Sequence, residues 1–174
     1  AARRHGAEAG EVEEGMSARW RLVPASAATA HLRTLARWHH AEWTALYAGW
    51  SEDDAFAELQ AHAAHEGVLP STLVALGEDG APLGSVSLLV EDSPELVEFE
   101  GPWLASLFVV PEARGRGLGE ALVRALVARA ASAGLPRLRL FTPRHRAFYE
   151  RLGWSFEAGA RVGGDAVDVL TRVP

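Results

Sequence analysis

The stretch that most restricts this chain is Val109-Val110-Pro111-Glu112-Ala113-Arg114-Gly115-Arg116-Gly117-Leu118-Gly119-Glu120-Ala121-Leu122. An apolar run ends in a turn with three alternate glycines, and the turn runs straight into a helical period. The physics is that of an anion cradle. Glycine has no Cβ, so a ligand can come close to the backbone. The first amides of a helix have no intrahelical acceptor, and the helix dipole adds positive potential there. Arg114 and Arg116 add charge and donor forks that suit phosphate oxygens. A turn that merely reverses the chain needs neither the alternation of glycines nor the arginines between them. The segment therefore reads as a pyrophosphate cradle between a strand and a helix.

Composition narrows what the cradle holds. Every one of the 17 basic residues is arginine. Without lysine there is no Gly-Lys-Ser/Thr phosphate loop and no Schiff-base chemistry. Without cysteine there are no disulfides, no thiolate metal sites and no cysteinyl acyl-enzyme. A dinucleotide fingerprint needs Gly or Ala at the sixth position. Counted from Gly115 that position is Glu120, and from Gly117 it is Leu122, so both frames fail. The turn also comes too late in the chain to leave room for a doubly wound sheet.

The 174 residues suit one domain. Residues 1–15, mostly Ala, Gly, Glu and Arg, read as a disordered tail, and 16–174 as the single folded domain. Arg19–Pro24 alternates and reads as a strand. Ala27 to Tyr47 follows the helical period through Leu32, Leu35, Trp38, Trp43 and Leu46. Ser51 starts a second helix, capping the Asp54 amide, with Ala55, Phe56, Leu59 and Ala63 on its apolar face. Thr72–Leu76 and Leu83–Val90 form a hairpin across Gly77-Glu78-Asp79-Gly80. An acidic loop, Glu91–Gly101, leads into the apolar strand Trp103–Val110. A helix from Gly117 to Ala133 follows, stopped by Gly134 and Pro136. Arg137–Phe141 is a strand, and Thr142-Pro143 make a cap and first-turn pair for a short helix. Trp154–Val162 and Ala166–Arg172 close the chain through Gly163-Gly164. The class is α/β, a mixed sheet flanked by helices.

The net charge of −6 is divided unevenly. Residues 38–113 hold fourteen acids and no arginine or lysine, whereas residues 114–174 sum to +6. The basic part suits a polyanionic ligand and the acidic part a cation. Nucleic acid is not indicated, because the balance is acidic and no stacking platform accompanies the arginines. No apolar run is long enough to span a membrane, and with no apolar signal core a cytoplasmic location is expected. His39-His40 and His62-x-x-His65 lack a matching third ligand set, so no metal is expected.

Two segments carry a resemblance. Arg114, Gly117 and Gly119 form R-x-x-G-x-G, and Ala147-Phe148-Tyr149-Glu150-Arg151-Leu152-Gly153-Trp154 is similar to a "fYekLGF" helix-to-strand signature. Together, in this order and spacing, they resemble the GNAT superfamily of N-acetyltransferases over about Arg19 to Arg172. The resemblance implies a mostly antiparallel sheet whose two central strands, Trp103–Val110 and Arg137–Phe141, splay apart. It implies acetyl-CoA as co-substrate. The main chain of Phe108, Val109 and Val110 would pair with the pantetheine arm. Amides over Arg114, Gly115, Arg116, Gly117, Leu118, Gly119 and Glu120 would hold the pyrophosphate. A backbone N–H at Val109 or Val110 would meet the oxyanion, and Tyr149 would protonate the leaving thiolate.

The implied reaction is direct transfer of acetyl to a primary amine through a ternary complex. The charge pattern makes the acceptor a cation, either a small molecule or a peptide N-terminus. Neither central strand carries an acid that could serve as base, which leaves Asp92, Glu98, Glu100, His40 and Glu42 as candidates. Trp38, Trp43 and Trp50 either wall the acceptor site or belong to the helix core. Many relatives of this fold pair, so a homodimer is compatible with it. The alternative to an enzyme is a non-catalytic acyl-CoA-binding or sensing domain that keeps the cradle without a base.

Overall fold

The computed structural model describes residues 19–174; the proposed tail at 1–15 lies outside them. The sheet grows from the predicted hairpin. Strand β2 (Ser71–Gly77) is buried at every residue, and β3 (Pro82–Leu89) is buried from Gly84 onward. Such strands are covered on both faces, which explains their nearly continuous apolar run. Their turn is fixed locally, with Gly80 at φ +79 and the Ala81 amide donating to Asp79 Oδ1 at 3.0 Å. Strand β1 (Trp20–Pro24) adds to β2, and β4 (Trp103–Val109) adds to β3, both antiparallel. Strands β5 (Leu138–Thr142), β6 (Ser155–Val162) and β7 (Asp165–Arg172) complete the order β1-β2-β3-β4-β5-β7-β6. The β4–β5 neighbours are parallel and every other pair is antiparallel.

Helices cover both faces. Helices α1 (Leu32–Trp43) and α2 (Glu52–Ala64) bury Leu32, Leu35, Ala36, Ala55 and Leu59 against Val74 and Leu76. Helices α3 (Leu118–Ser132) and α4 (Arg146–Arg151) lie opposite, where Leu118, Leu122 and Leu126 meet Leu73, Ala75, Val86 and Leu88. The alternation of Leu73, Val74, Ala75 and Leu76 between the two cores is the strand period of two made visible. Helix α2 starts as its sequence indicates. The Asp54 amide donates to Ser51 Oγ at 3.0 Å, and the Ser51 amide donates to Asp54 Oδ2 at 2.8 Å, a reciprocal capping box. Among the described residues no helix is long and apolar enough to cross a membrane.

Two local expectations are corrected. The helix read over Ala27 to Tyr47 is continuous only from Leu32 to Trp43, with short 3-10 turns at Ala25–Ala27, Thr29–His31 and Thr44–Leu46. No side-chain cap bond starts α1, so the apolar period ran past both of its ends. Thr142 does not cap α4. It ends β5, opposite Asp168 of β7, and its hydroxyl accepts from the His145 amide at 2.9 Å in the turn before the helix.

The histidine pairs are split. His39 and His62 point inward, with His39 Nε2 2.8 Å from Ser85 Oγ and His62 Nδ1 2.8 Å from Thr72 Oγ1, itself 2.8 Å from Ser87 Oγ. His65 is exposed. Among the described residues no cluster of three or more metal-ligating side chains occurs. Burial, and then a neighbouring histidine, lower both buried rings to about 4. The folded value lies below the unfolded value of about 6.5, so the unfolded chain binds these protons first. The histidines' contribution to stability is therefore complete above about pH 6.5 and is lost as the pH falls toward 4, each ring giving a slope of up to about 1.4 kcal/mol per pH unit. Urea unfolding across this window should show that loss, and a His39→Gln/His62→Gln double variant should flatten it. An unchanged slope would contradict the buried, neutral state of the two rings.

Candidate active site

The site begins with one extra residue in β4. Ser85 pairs with Phe108, but Ser87 pairs with Ala105, so two steps on β3 face three on β4. The surplus lies at Ser106-Leu107, and Ser106 adopts φ +54, a left-handed conformation that costs of order 1–3 kcal/mol outside glycine. A bulge bends and twists its strand. On its other edge β4 meets β5 only where Trp103 pairs with Arg139, whose amide donates to the Pro102 carbonyl at 3.0 Å. Beyond that point the two strands part. A cavity of about 470 Å³ occupies the cleft, with Ala105, Ser106 and Leu107 on one side and Phe141 and Thr142 on the other.

The cradle stands at the far end of β4. Phe108 and Val109 are its last residues, and Val110 follows. The Val110 amide donates to the Leu83 carbonyl at 2.9 Å, so it is committed to β3 and cannot serve an oxyanion. Backbone groups of successive strand residues alternate between edges, so the Val109 amide faces the cleft. Arg114 turns back on the strand. Its Nε donates to the Val109 carbonyl at 2.9 Å, and its guanidinium lies 5.9 Å from the centre of the Phe108 ring. Arg116 is exposed. Gly115 and Gly117 have φ +75 and +84, and a Cβ at either would meet no protein atom within 4 Å. The space in front of the turn is thus free, and left-handed backbone explains why glycine stands there. Gly117 precedes α3 without a side-chain cap, and the first helical bond comes from Ala121 to the Gly117 carbonyl at 3.0 Å. The amides of Leu118, Gly119 and Glu120 therefore have no helical acceptor. The Glu120 carboxylate is turned aside, accepting from Arg124 Nε at 2.8 Å.

Tyr149, on α4, lines the cavity and is 8% exposed. Its ring meets Phe148 edge-on at 4.9 Å and Trp154 at 6.3 Å. Burial pushes its phenol far above the ordinary value, so it keeps its proton at neutral pH.

The opposite wall comes from the α1–α2 region. Trp43 and Trp50 line the cavity, whereas Trp38 stacks on Phe108 at 5.5 Å and packs into the α1–α2 core. Of the five candidate bases, Asp92 and Glu42 line the cavity. Glu98, Glu100 and His40 do not; the His40 ring lies against Trp50, with Nε2 3.2 Å from the Trp50 carbonyl.

Glu58, Glu91 and Asp165 also line the cavity, and Tyr47 donates to Asp92 Oδ1 at 2.9 Å. Of these, sequence reasoning singled out Asp92 but not Tyr47, Glu58, Glu91 or Asp165 as site residues. The acidic 38–113 stretch was the available signal for Glu58 and Glu91; Asp165 lay in the basic third. Asp165 reaches the cavity because the β6–β7 turn is clamped. The Gly163 amide donates to Glu95 Oε2 at 2.6 Å, and a Cβ on Gly163 would stand 2.8 Å from Leu46 Cα.

The site thus joins a parallel strand pair that parts at a bulge, a glycine turn beyond it and a phenol in the cleft. A sequence model of the acetyltransferase (GNAT) family matches residues 34–154. The chain belongs to the GNAT acetyltransferase family. Solved structures share the fold. A protein from Bordetella pertussis assigned to the GNAT family is 24% identical at a TM-score of 0.66, over 90% of this chain and 97% of that one. A GNAT-family acetyltransferase from Streptococcus pneumoniae is 16% identical at 0.63, over 88% and 98%. A variant of the spermidine N-acetyltransferase from Vibrio cholerae is 14% identical at 0.64, over 90% and 95%.

Gly163→Ala tests the clamp. The methyl has backbone, not a flexible side chain, in its way, so the hairpin must withdraw at a cost of about 1–3 kcal/mol. Chemical denaturation should show that loss. Unchanged stability would mean that the turn is not held against Leu46.

Proposed function

We propose that this protein transfers an acetyl group from acetyl-CoA to a primary amine on a cationic acceptor, a small molecule or a peptide N-terminus, by direct attack within a ternary complex. The observation that carries the reading is a cavity opened where β4 and β5 part, lined by Tyr149 and by carboxylates, with the unobstructed glycine turn following the end of the same strand β4. Among the described residues five acids line the cavity, against one arginine, Arg144. Acetyl transfer is the activity of the family, and one structural neighbour bears the name spermidine N-acetyltransferase.

The residues divide the work. The free amides of Leu118, Gly119 and Glu120, with Gly115 and Gly117 leaving room and Arg116 adding charge, suit a pyrophosphate. Arg114 braces the turn against Val109. The cleft edge of Phe108 to Val110 suits the amides of a pantetheine arm, and the Val109 N–H is the donor aimed where an oxyanion would form. Tyr149, protonated and within the cavity, serves as the acid for the departing thiolate.

Thiol release measured across butylamine, 1,4-diaminobutane, spermidine and a basic peptide with a free N-terminus should show turnover, fastest on the polycations. Tight acetyl-CoA binding without turnover on any amine would instead favour a sensing domain. Tyr149→Phe should lower kcat by about 10²-fold while acetyl-CoA affinity stays within a factor of about two. Gly117→Val should weaken acetyl-CoA binding at least tenfold by calorimetry, an effect of about 1.4 kcal/mol or more. Retained affinity would refute the cradle.

A further inference from the structure

We propose that Asp92 is the general base that deprotonates the acceptor ammonium, and that Tyr47 is the positioning residue that holds its carboxyl at the cavity. The proposal rests on the amine-acceptor reading above. Its ground is geometric. Asp92 follows β3, whose last residue Leu89 pairs with Trp103 at the closed end of the β4–β5 fork. It therefore lies beside the apex of the cleft that also holds Ser106 and Tyr149. Among the cavity acids it is the one fixed by a side-chain hydrogen bond, from Tyr47 Oη at 2.9 Å. Glu42, Glu58, Glu91 and Asp165 are exposed. Tyr47 is itself held, edge-on to Trp50 at 5.6 Å.

The groups around Asp92 come from several elements. Tyr47 approaches from the segment after α1, Glu58 from α2 and Asp165 from β7. Glu91 is its chain neighbour, and Glu42 stands on α1. Arg144 and His145 line the cavity from the turn after β5. Among the described residues no ion pair joins Asp92 to an arginine. Burial pushes its carboxyl up, the Tyr47 hydrogen bond pulls it back, and the Glu58 charge raises it, leaving it at about 7. A base poised there is half ionised at neutral pH and can both take and release a proton.

The step balances without any further reagent. The ammonium gives one proton to the Asp92 carboxylate, directly or through a water in the cavity. The freed nitrogen lone pair forms the C–N bond at the thioester carbonyl. The C–S bond breaks, and the thiolate takes the Tyr149 proton. The second nitrogen proton replaces the one Tyr149 lost, and Asp92 releases its own to solvent before the next cycle.

The test is the pH dependence of kcat/KM on spermidine, or on the best amine of the panel, with the intact chain. The wild type should lose activity on an acid limb near pH 7. Tyr47→Phe removes the bond that favours the carboxylate, so the limb should move up. Glu58→Gln removes a like charge, so it should move down. Asp92→Asn should abolish this limb and cost about 10²-fold at pH 7, a deficit that shrinks as rising pH supplies neutral amine. Acetyl-CoA affinity should be unchanged in all three. A second readout needs no substrate: the infrared carboxyl band that titrates near pH 7 should vanish in Asp92→Asn. A wild type that turns over amines with no such band, or with a limb that neither Tyr47→Phe nor Glu58→Gln moves, overturns the base assignment alone. A wild type that acetylates no amine overturns the amine-acceptor reading and the base with it.

Discussion

The site depends on the single point at which β4 and β5 touch. Parallel neighbours in a sheet ordinarily bond along their length, and a cleft between them would leave backbone donors and acceptors without partners. Here pairing stops after Trp103 and Arg139, and the bulge at Ser106 bends β4 away. The open edge is left to water or to a ligand with amides of its own. The same edge ends in Val109, whose carbonyl already binds Arg114, so strand and cradle are one device. Rigidity comes from the faces. Leu104, Leu138 and Leu140, all buried, anchor both strands to the α3 core even where the strands no longer bond to each other.

Charge is partitioned around this fork. The basic residues of the C-terminal third include the arginines of the cradle, and the acids of the middle stretch supply Glu42, Glu58, Glu91 and Asp92 to the opposite end. An anion and a cation entering from the two ends would meet at the bulge. Complementary potentials of this kind raise the rate and selectivity of encounter more than they raise affinity.

Much of the architecture was legible in the chain because it is encoded locally. The hairpin of β2 and β3, the capping box of Ser51 and Asp54, and the turn into α3 each depend on a few adjacent residues. The glycine turn was legible for the same reason: Gly115 and Gly117 both stand at left-handed positions. What escaped was long-range. Tyr47 and Asp92 are 45 residues apart, and nothing near either one announces the other. Gly163 looked like an ordinary hairpin glycine until its packing on Leu46 put Asp165 at the cavity. Thr142 has the chemistry of a helix cap, but pairing with Asp168 drew it into β5. The Val110 amide was lost as an oxyanion donor to Leu83, a partner supplied by sheet register.

In the proposed complex one ligand lies along the fork, phosphates at α3 and sulfur at the bulge. A crystal structure with CoA tests it most directly. Pyrophosphate oxygens should lie within hydrogen-bond distance of the Leu118, Gly119 and Glu120 amides, with the thiol between β4 and β5 beside Tyr149. CoA bound elsewhere, or with its thiol outside the β4–β5 cleft, would contradict it.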